Sequence, residues 1–179
     1  MKKYIVLLRG INVGGHKKIK MAELRAMLEA MNFSNVQTYI QSGNIIFEHK
    51  SCPNSELEQS IKTQIKNTFT HDVPVLAMTV EELQYIFNNN PFLVERNEDI
   101  TKLHVTILSK VADNQLIDSI KDIQHKADEF QIIGKNIYIF CPDGYGRTKF
   151  VNNFFEKKLN VPATTRNWKT IKKLIEMTE

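Results

Sequence analysis

Glu129-Phe130-Gln131-Ile132-Ile133-Gly134-Lys135-Asn136-Ile137-Tyr138-Ile139-Phe140 is the stretch that decides the fold. Two apolar, β-prone runs, 129–133 and 136–140, are separated by two residues. Gly134 comes first in the pair, the order a type II′ hairpin turn asks for. The same design stands upstream, where 36–41 and 44–47 flank Ser42-Gly43. A hairpin in each half makes the surroundings of each the next question.

Outward from the first hairpin, Tyr4 to Leu8 is a continuous apolar run, expected as a central strand buried on both faces. Met21, Leu24, Leu28 and Met31 recur at helical spacing and predict a helix over 21–32. Downstream, Ser55 and Glu58 fit a capping box opening a helix that carries Leu57, Ile61, Ile65 and Phe69. A strand over 73–78 follows, then a second capping box, Thr79 with Glu82, for a short helix to about Phe87. Asn88-Asn89-Asn90-Pro91 breaks that helix, and the polar stretch to Ile100 reads as a linker.

The second half repeats the order. A strand over 102–108 and a helix over 113–124, with Leu116, Ile120 and Ile123 inward, precede the hairpin. A helix over 149–159, a short strand over 161–165 and a last helix capped by Asn167 follow it. Each half reads strand, helix, hairpin, helix, strand. The expected fold is therefore α+β, two tandem ferredoxin-like (βαββαβ) halves with an extra helix after each, over 1–90 and 91–179. In such a unit the first and third strands are expected side by side and parallel. That puts the loop after the first strand of one half and the loop after the third strand of the other at corresponding edges. Ser42-Gly43-Asn44 would lie at the opposite edge of its own half.

Composition narrows the class. Hydrophobic residues make up 42% and charged residues 25% of 179, enough for a core without staples. A net charge of +4 permits a nucleic-acid or nucleotide partner without demanding one. Met1-Lys2-Lys3 and the apolar run after it resemble a signal peptide only until Arg9, and no cleavage site follows. No apolar run approaches a membrane span, so a cytoplasmic protein with no membrane partner is expected. Cys52 and Cys141 make no CxxC pair, and His16, His49, His71, His104 and His125 show no metal spacing. No metal or cofactor is therefore assigned. The oligomeric state is not written in the sequence.

Two Gly-rich basic stretches carry the candidate chemistry. The first, from Arg9 to Lys18, nearly spells a phosphate-binding P-loop, with Gly10 and Gly15 in place and Gly14 as a further glycine between them. His16 stands where the lysine belongs, and no Ser or Thr follows Lys17, which disfavours a nucleotide hydrolase. The second, Gly144-Tyr145-Gly146-Arg147-Thr148-Lys149, is expected to open a helix with Thr148 as its cap, so that Arg147 and Lys149 flank the positive helix end. The expected ligand is a phosphate-bearing or other anion, a nucleotide or single-stranded nucleic acid. Arg9, Lys17, Arg147, Lys149 and Arg166 would supply charge. The glycines would let backbone amides approach, and Asn12 and Asn44 would orient the ligand. Two alternatives stand beside it: an acid–base enzyme centred on His16, and an interaction module without a ligand. Trp168, beside Arg166 and Lys169, either stacks a base or, the commoner role of a lone tryptophan, anchors the last helix.

Taken together, Leu8-Arg9-Gly10-Ile11-Asn12-Val13-Gly14-Gly15, Met21-Ala22-Glu23-Leu24-Arg25, the run from Val36 to Asn44, Gly146-Arg147-Thr148-Lys149-Phe150 and Ala163-Thr164-Thr165-Arg166-Asn167-Trp168 resemble a mainly bacterial family, domain of unknown function 1697. The resemblance spans nearly the whole chain and implies a tandem ferredoxin-like α+β fold. It carries no catalytic role. Asn32 before Phe33 departs from the glycine the family often has after its first helix, a helix-end detail.

Overall fold

The computed structural model describes residues 1–179. Strand β1 (Lys2–Leu8), helix α1 (Met21–Ala30), strands β2 (Ser34–Tyr39) and β3 (Asn44–His49), helix α2 (Asn54–Phe69) and strand β4 (Val75–Thr79) come first. Helices α3 (Val80–Asn88) and α4 (Pro91–Val94) follow, then β5 (Leu103–Leu108), α5 (Asn114–Asp118), β6 (Glu129–Ile133) and β7 (Asn136–Phe140). Helix α6 (Asn152–Leu159), β8 (Ala163–Asn167) and α7 (Trp168–Thr178) close the chain. The fold is mixed α and β, with two four-stranded sheets ordered β2-β3-β1-β4 and β6-β7-β5-β8, antiparallel throughout. Two compact units result, Met1–Gln84 with Leu174–Glu179, and Tyr85–Lys173.

In each unit, alternation along the strands sends one set of side chains under the helices. Tyr4, Val6 and Leu8 of β1, with Ile45 and Phe47 of β3, meet Leu24 and Leu28 of α1 and Leu57, Ile61 and Ile65 of α2. In the second unit Leu108, Ile137 and Ile139 meet Ile120, Phe155 and Leu159. Ile5 and Leu7, on the other face of β1, are buried too, as a central strand requires.

β1 and β3 are neighbours as expected, but they run antiparallel: Leu7 opposes Asn44 and Lys2 opposes His49. The reason is connectivity. The crossover through α1 leaves β2 running with β1, and the hairpin then reverses β3 against both. This moves the turn at 40–43 to the edge where β1 ends, and Leu8 N donates to Gly43 O at 2.7 Å. The loop after β7 leaves its sheet from the other edge, where Cys141 N donates to Lys102 O at 2.9 Å. The two Gly-rich stretches therefore leave their sheets from non-equivalent edges.

Residue-level repetition, not apparent as sequence identity, appears as hydrogen bonds. Leu108 N donates to Lys135 O at 2.8 Å as Leu8 N does to Gly43 O. Arg9 N donates to Pro74 O at 3.0 Å and Ser109 N to Pro162 O at 2.9 Å. Ala77 N donates to Glu58 Oε1 at 2.9 Å and Ala163 N to Glu156 Oε1 at 2.8 Å. β4 and β8 are edge strands, so these carboxylates occupy donors that point away from the sheet.

Some local expectations are corrected and others hold. The first hairpin turns through 40–43 rather than Ser42-Gly43 alone, with Ile40 (φ 48) and Gly43 (φ 77) left-handed. Ser55 lies inside α2, whose cap position is Pro53, a residue with no side-chain acceptor, and Glu58 Oε1 accepts from Ala77 N of β4. The Thr79–Glu82 box is reciprocal: Thr79 N donates to Glu82 Oε2 at 2.9 Å and Glu82 N to Thr79 Oγ1 at 3.3 Å. The stretch read as a linker contains α4, capped by Asn90, and Pro91 and Phe92 are buried. α5 stops at Asp118, where Ser119 Oγ donates back to Leu116 O at 2.7 Å, a local bond that competes with helix continuation. Trp168 is 1% exposed, stacked on Phe87 and tilted against Tyr138, so it anchors the start of α7. Asn167 caps that helix, accepting from Thr170 N at 2.8 Å.

Candidate functional site

From Leu8 the chain runs through the Gly-rich loop before α1 begins at Met21. The loop contains a miniature hairpin. Asn12 N donates to Lys17 O at 3.2 Å and His16 N to Val13 O at 3.0 Å, with Val13 and His16 bridged. Gly14 (φ 57) and Gly15 (φ 80) take the two central positions, the sign pattern of a type I′ turn. These glycines meet a turn requirement, and a Cβ on Gly15 would touch nothing within 4 Å.

Asn12 (φ 55) holds the base of this hairpin. Its Nδ2 donates to Ile19 O and to Gln41 O, both at 2.9 Å, and its Oδ1 accepts from Ile19 N at 2.9 Å. One side chain thus ties the loop, the approach to α1 and the turn at 40–43 together. Asn44 is buried and donates from Nδ2 to Tyr39 O at 3.0 Å and Ser42 Oγ at 2.9 Å. Both amides serve the protein's own backbone and turn. Gly43 closes the same corner: a Cβ there would stand 2.5 Å from Leu8 Cβ and 3.0 Å from Ile11 Cδ1. Lys17 Nζ donates to Asp72 O at 2.5 Å. Gly10, Gly14, Gly15 and His16 are exposed, and Arg9 is half-buried.

Beside the Asn12 clamp lies a groove of about 480 Å³. Ile19 and Met21 give it apolar surface; Lys18, Lys20, Glu23 and Gln41 give it polar groups. The first turn of α1 lines it, and the cap position is Lys20, with no side-chain hydrogen bond to the helix amides. Lys20 Nζ lies 3.2 Å from Glu23 Oε1. A second cavity of about 490 Å³, at the bulge of β2, has Lys3 alongside Glu29 and Glu48. Its charge is mixed, and Glu48 already accepts from Asn35 Nδ2 at 3.0 Å.

The other predicted residues belong to the second unit. Gly144 (φ 93) precedes a single 3-10 turn, Tyr145–Arg147, and Thr148 is extended. Thr148 caps no α-helix; its Oγ1 accepts from Phe150 N at 3.0 Å, and α6 starts only at Asn152. Arg147 and Lys149 therefore do not flank a helix end. Gly146 and Arg147 are exposed, while Lys149 Nζ donates to Gln124 O at 2.6 Å and lies over the Phe150 ring. Arg166 pairs in register with Val105, and its Nη1 donates to Thr165 O at 2.9 Å. Burial pulls its guanidinium down to about 10, still protonated at neutral pH.

A polar inlay sits on the helix-covered face of the second sheet. Thr106 and Thr165 share a hydroxyl contact at 2.6 Å, Thr165 Oγ1 donates to Asn152 Oδ1 at 3.0 Å, and Asn152 N donates to Tyr145 Oη at 3.1 Å. Tyr145 stacks on His104 with centroids 4.3 Å apart. Burial lowers the His104 imidazole to about 4.

Of the groove residues, Lys18, Ile19, Lys20, Met21, Glu23 and Gln41 lay outside the sequence-predicted set. A signal for them existed: Lys20 directly precedes the helical apolar run, where Ser, Thr, Asp or Asn is the usual cap.

A family model described as "Protein of unknown function (DUF1697)" matches residues 1–138. Among solved structures, the chain is similar to that of the conserved bacterial protein SP0830 from Streptococcus pneumoniae. The two share 26% identity over 99% of each chain, with a TM-score of 0.78. No curated protein matches.

Proposed function

The chain belongs to the DUF1697 family, and from that premise we propose that it binds a phosphate-bearing or other anionic ligand in the groove at the start of α1. The observation that carries this reading is the helix opening itself. Its amides have no side-chain cap, Lys20 occupies the cap position, and Lys18 lies beside it along one cavity. The first amides of a helix lack intrahelical acceptors and form the positive end of its dipole, so an anion there satisfies both. In the second unit the corresponding helix, α5, is capped by Asp113, whose carboxylate accepts from Gln115 N at 2.7 Å. That helix end already has its anion.

Nucleotides and single-stranded nucleic acid are the ligand classes this reading admits. An acid–base role for His16 has less support, because its side chain is exposed on the miniature hairpin. The strand orders, with a helix on either side of each hairpin, support reading each half as a ferredoxin-like unit. Two free cysteines support a cytoplasmic location.

Calorimetric titration with orthophosphate, nucleotides and short oligonucleotides, at low and raised salt, tests the proposal. Binding that weakens with salt and falls about tenfold or more in Lys18→Ala/Lys20→Ala is expected. Affinity unchanged in that double variant would overturn it. Arg147→Ala, in the second unit, reports whether the other Gly-rich stretch contributes.

A further inference from the structure

We propose that β6 is a docking edge for a second copy of this chain, the two β6 strands pairing antiparallel about a two-fold axis at Gln131. The inference is independent of the groove at α1. Edge strands β2, β4 and β8 each carry a device against pairing. Glu58 Oε1 accepts from Ala77 N on β4 and Glu156 Oε1 from Ala163 N on β8, and β2 shifts register between Ser34 and Gln37. β6 has neither device. Glu129 to Ile133 pair with β7 in unbroken register, and no strand lies on the other side.

The hairpin fixes which groups face outward. Its two-residue turn makes Ile133 and Asn136 a hydrogen-bonded pair, and alternation gives Gln131 and Glu129 the same inward role. The neighbouring pairing agrees: Leu108 N donates to Lys135 O and Cys141 N to Lys102 O, so odd positions at both ends of β7 face β5. The N–H and C=O of Phe130 and Ile132 therefore point away from the sheet. An antiparallel copy centred on Gln131 sets Phe130 opposite the partner's Ile132, and the outward groups of each strand meet those of the other.

The side chains match in that register as well. Phe130 and Ile132 are half-buried against the helix-side core, so an aromatic and a β-branched residue meet twice and extend that core across the axis. On the other face Gln131 meets the partner's Gln131, and an amide both donates and accepts. Glu129 opposes the partner's Ile133, with the partner's Lys135 on the diagonal, within reach of a long side chain. Arg96 Nη1 holds the Glu129 carboxylate through both oxygens, at 3.0 and 2.9 Å. No like charges stand opposite one another. This charge complementarity at both ends, around a self-matching centre, selects a second copy over a peptide of unrelated sequence. One short strand pair buries little surface, so the dimer is weak and forms as concentration rises.

Sedimentation velocity of the full chain over a concentration series, with amide hydrogen exchange at its two ends, tests this. The expected result is a monomer–dimer equilibrium in which the Phe130 and Ile132 amides gain protection as dimer forms. Gln131 is exposed, so Gln131→Lys keeps the fold, checked by a thermal melt. It sets two ammonium groups against each other at the axis and should weaken dimerisation about tenfold or more. Gln131→Glu should do the same, and mixing the two variants should restore the dimer, because opposite charges then meet. A chain that stays monomeric overturns the proposal, as does a dimer that Gln131→Lys leaves intact. Weakening in both variants without recovery on mixing overturns the axis at Gln131. The exchange measurement uses the unaltered chain and stands whether or not a variant folds: a dimer that leaves the Phe130 and Ile132 amides unprotected overturns the β6 edge.

Discussion

Gly43→Ala is expected to be the most damaging of the conservative glycine substitutions in this chain, and its cost can be built from two parts. Gly43 has φ +77, a conformation that costs a residue with a Cβ about 1–2 kcal/mol. The new methyl would also stand 2.5 Å from Leu8 Cβ and 3.0 Å from Ile11 Cδ1. Leu8 Cβ is fixed to the central strand and cannot swing aside, and Ile11 Cδ1, although a side-chain end, belongs to a buried residue. Forcing a core apart by one carbon adds about 1–3 kcal/mol. The sum is about 2–5 kcal/mol, or a fall in Tm of about 4–20 °C for a chain of this size. Two variants separate the parts. Gly15→Ala has φ +80 but open space around the new carbon, so it bears only the backbone cost of about 1–2 kcal/mol. Gly146→Ala has neither a positive φ nor a neighbour within 4 Å and should change stability by no more than about 1 kcal/mol. Urea unfolding followed by circular dichroism ranks the three. Equal losses for Gly43→Ala and Gly15→Ala would refute the reasoning, because the close approach of the turn to β1 would then contribute nothing.

Other expected outcomes follow from single residues. Thr70 ends α2 in an exposed left-handed position, φ 61 and ψ 18; Thr70→Gly should stabilise the protein by about 1 kcal/mol, read as a higher urea midpoint. Burial lowers the His104 imidazole from 6.5 to about 4, so the fold favours its neutral form. Its contribution to stability is complete above pH 6.5 and is lost as pH falls toward 4, at no more than about 1.4 kcal/mol per pH unit. His104→Gln should flatten that part of the pH dependence, and an unchanged slope would show that other groups set it. Burial and the Asp128 carboxylate push the Cys141 thiol up to about 11. Iodoacetamide at mildly alkaline pH should therefore modify Cys141 only after denaturant is added, as peptide mass mapping would show.

The second hairpin was legible to the residue, because Gly134-Lys135 interrupts two apolar β-prone runs. The Thr79–Glu82 box was legible for the same kind of reason, both partners being local. Ser55 and Glu58 have the same spacing, yet Glu58 reaches across to Ala77 N, a competitor brought up by the sheet and invisible to a local pattern. Thr148 failed as a helix cap because a 3-10 turn and an extended residue intervene before α6. The Gly-rich loop was read for phosphate, whereas Gly14 and Gly15 answer to the turn between Val13 and His16. The groove depends on Asn12 drawing Gln41 and Ile19 together across the chain, and no spacing in the sequence announces that.

The carboxylates of Glu58 and Glu156 bear on how this chain behaves when crowded. A foreign strand approaching β4 or β8 finds the Ala77 and Ala163 donors already engaged, and must displace a charged acceptor before it can pair. On the far side of the first sheet, the irregularity between Ser34 and Gln37 disrupts the border of β2, another feature that discourages such pairing. Glu58→Ala or Glu156→Ala would free an edge donor at one of these borders, so strand-to-strand aggregation of those variants should start there.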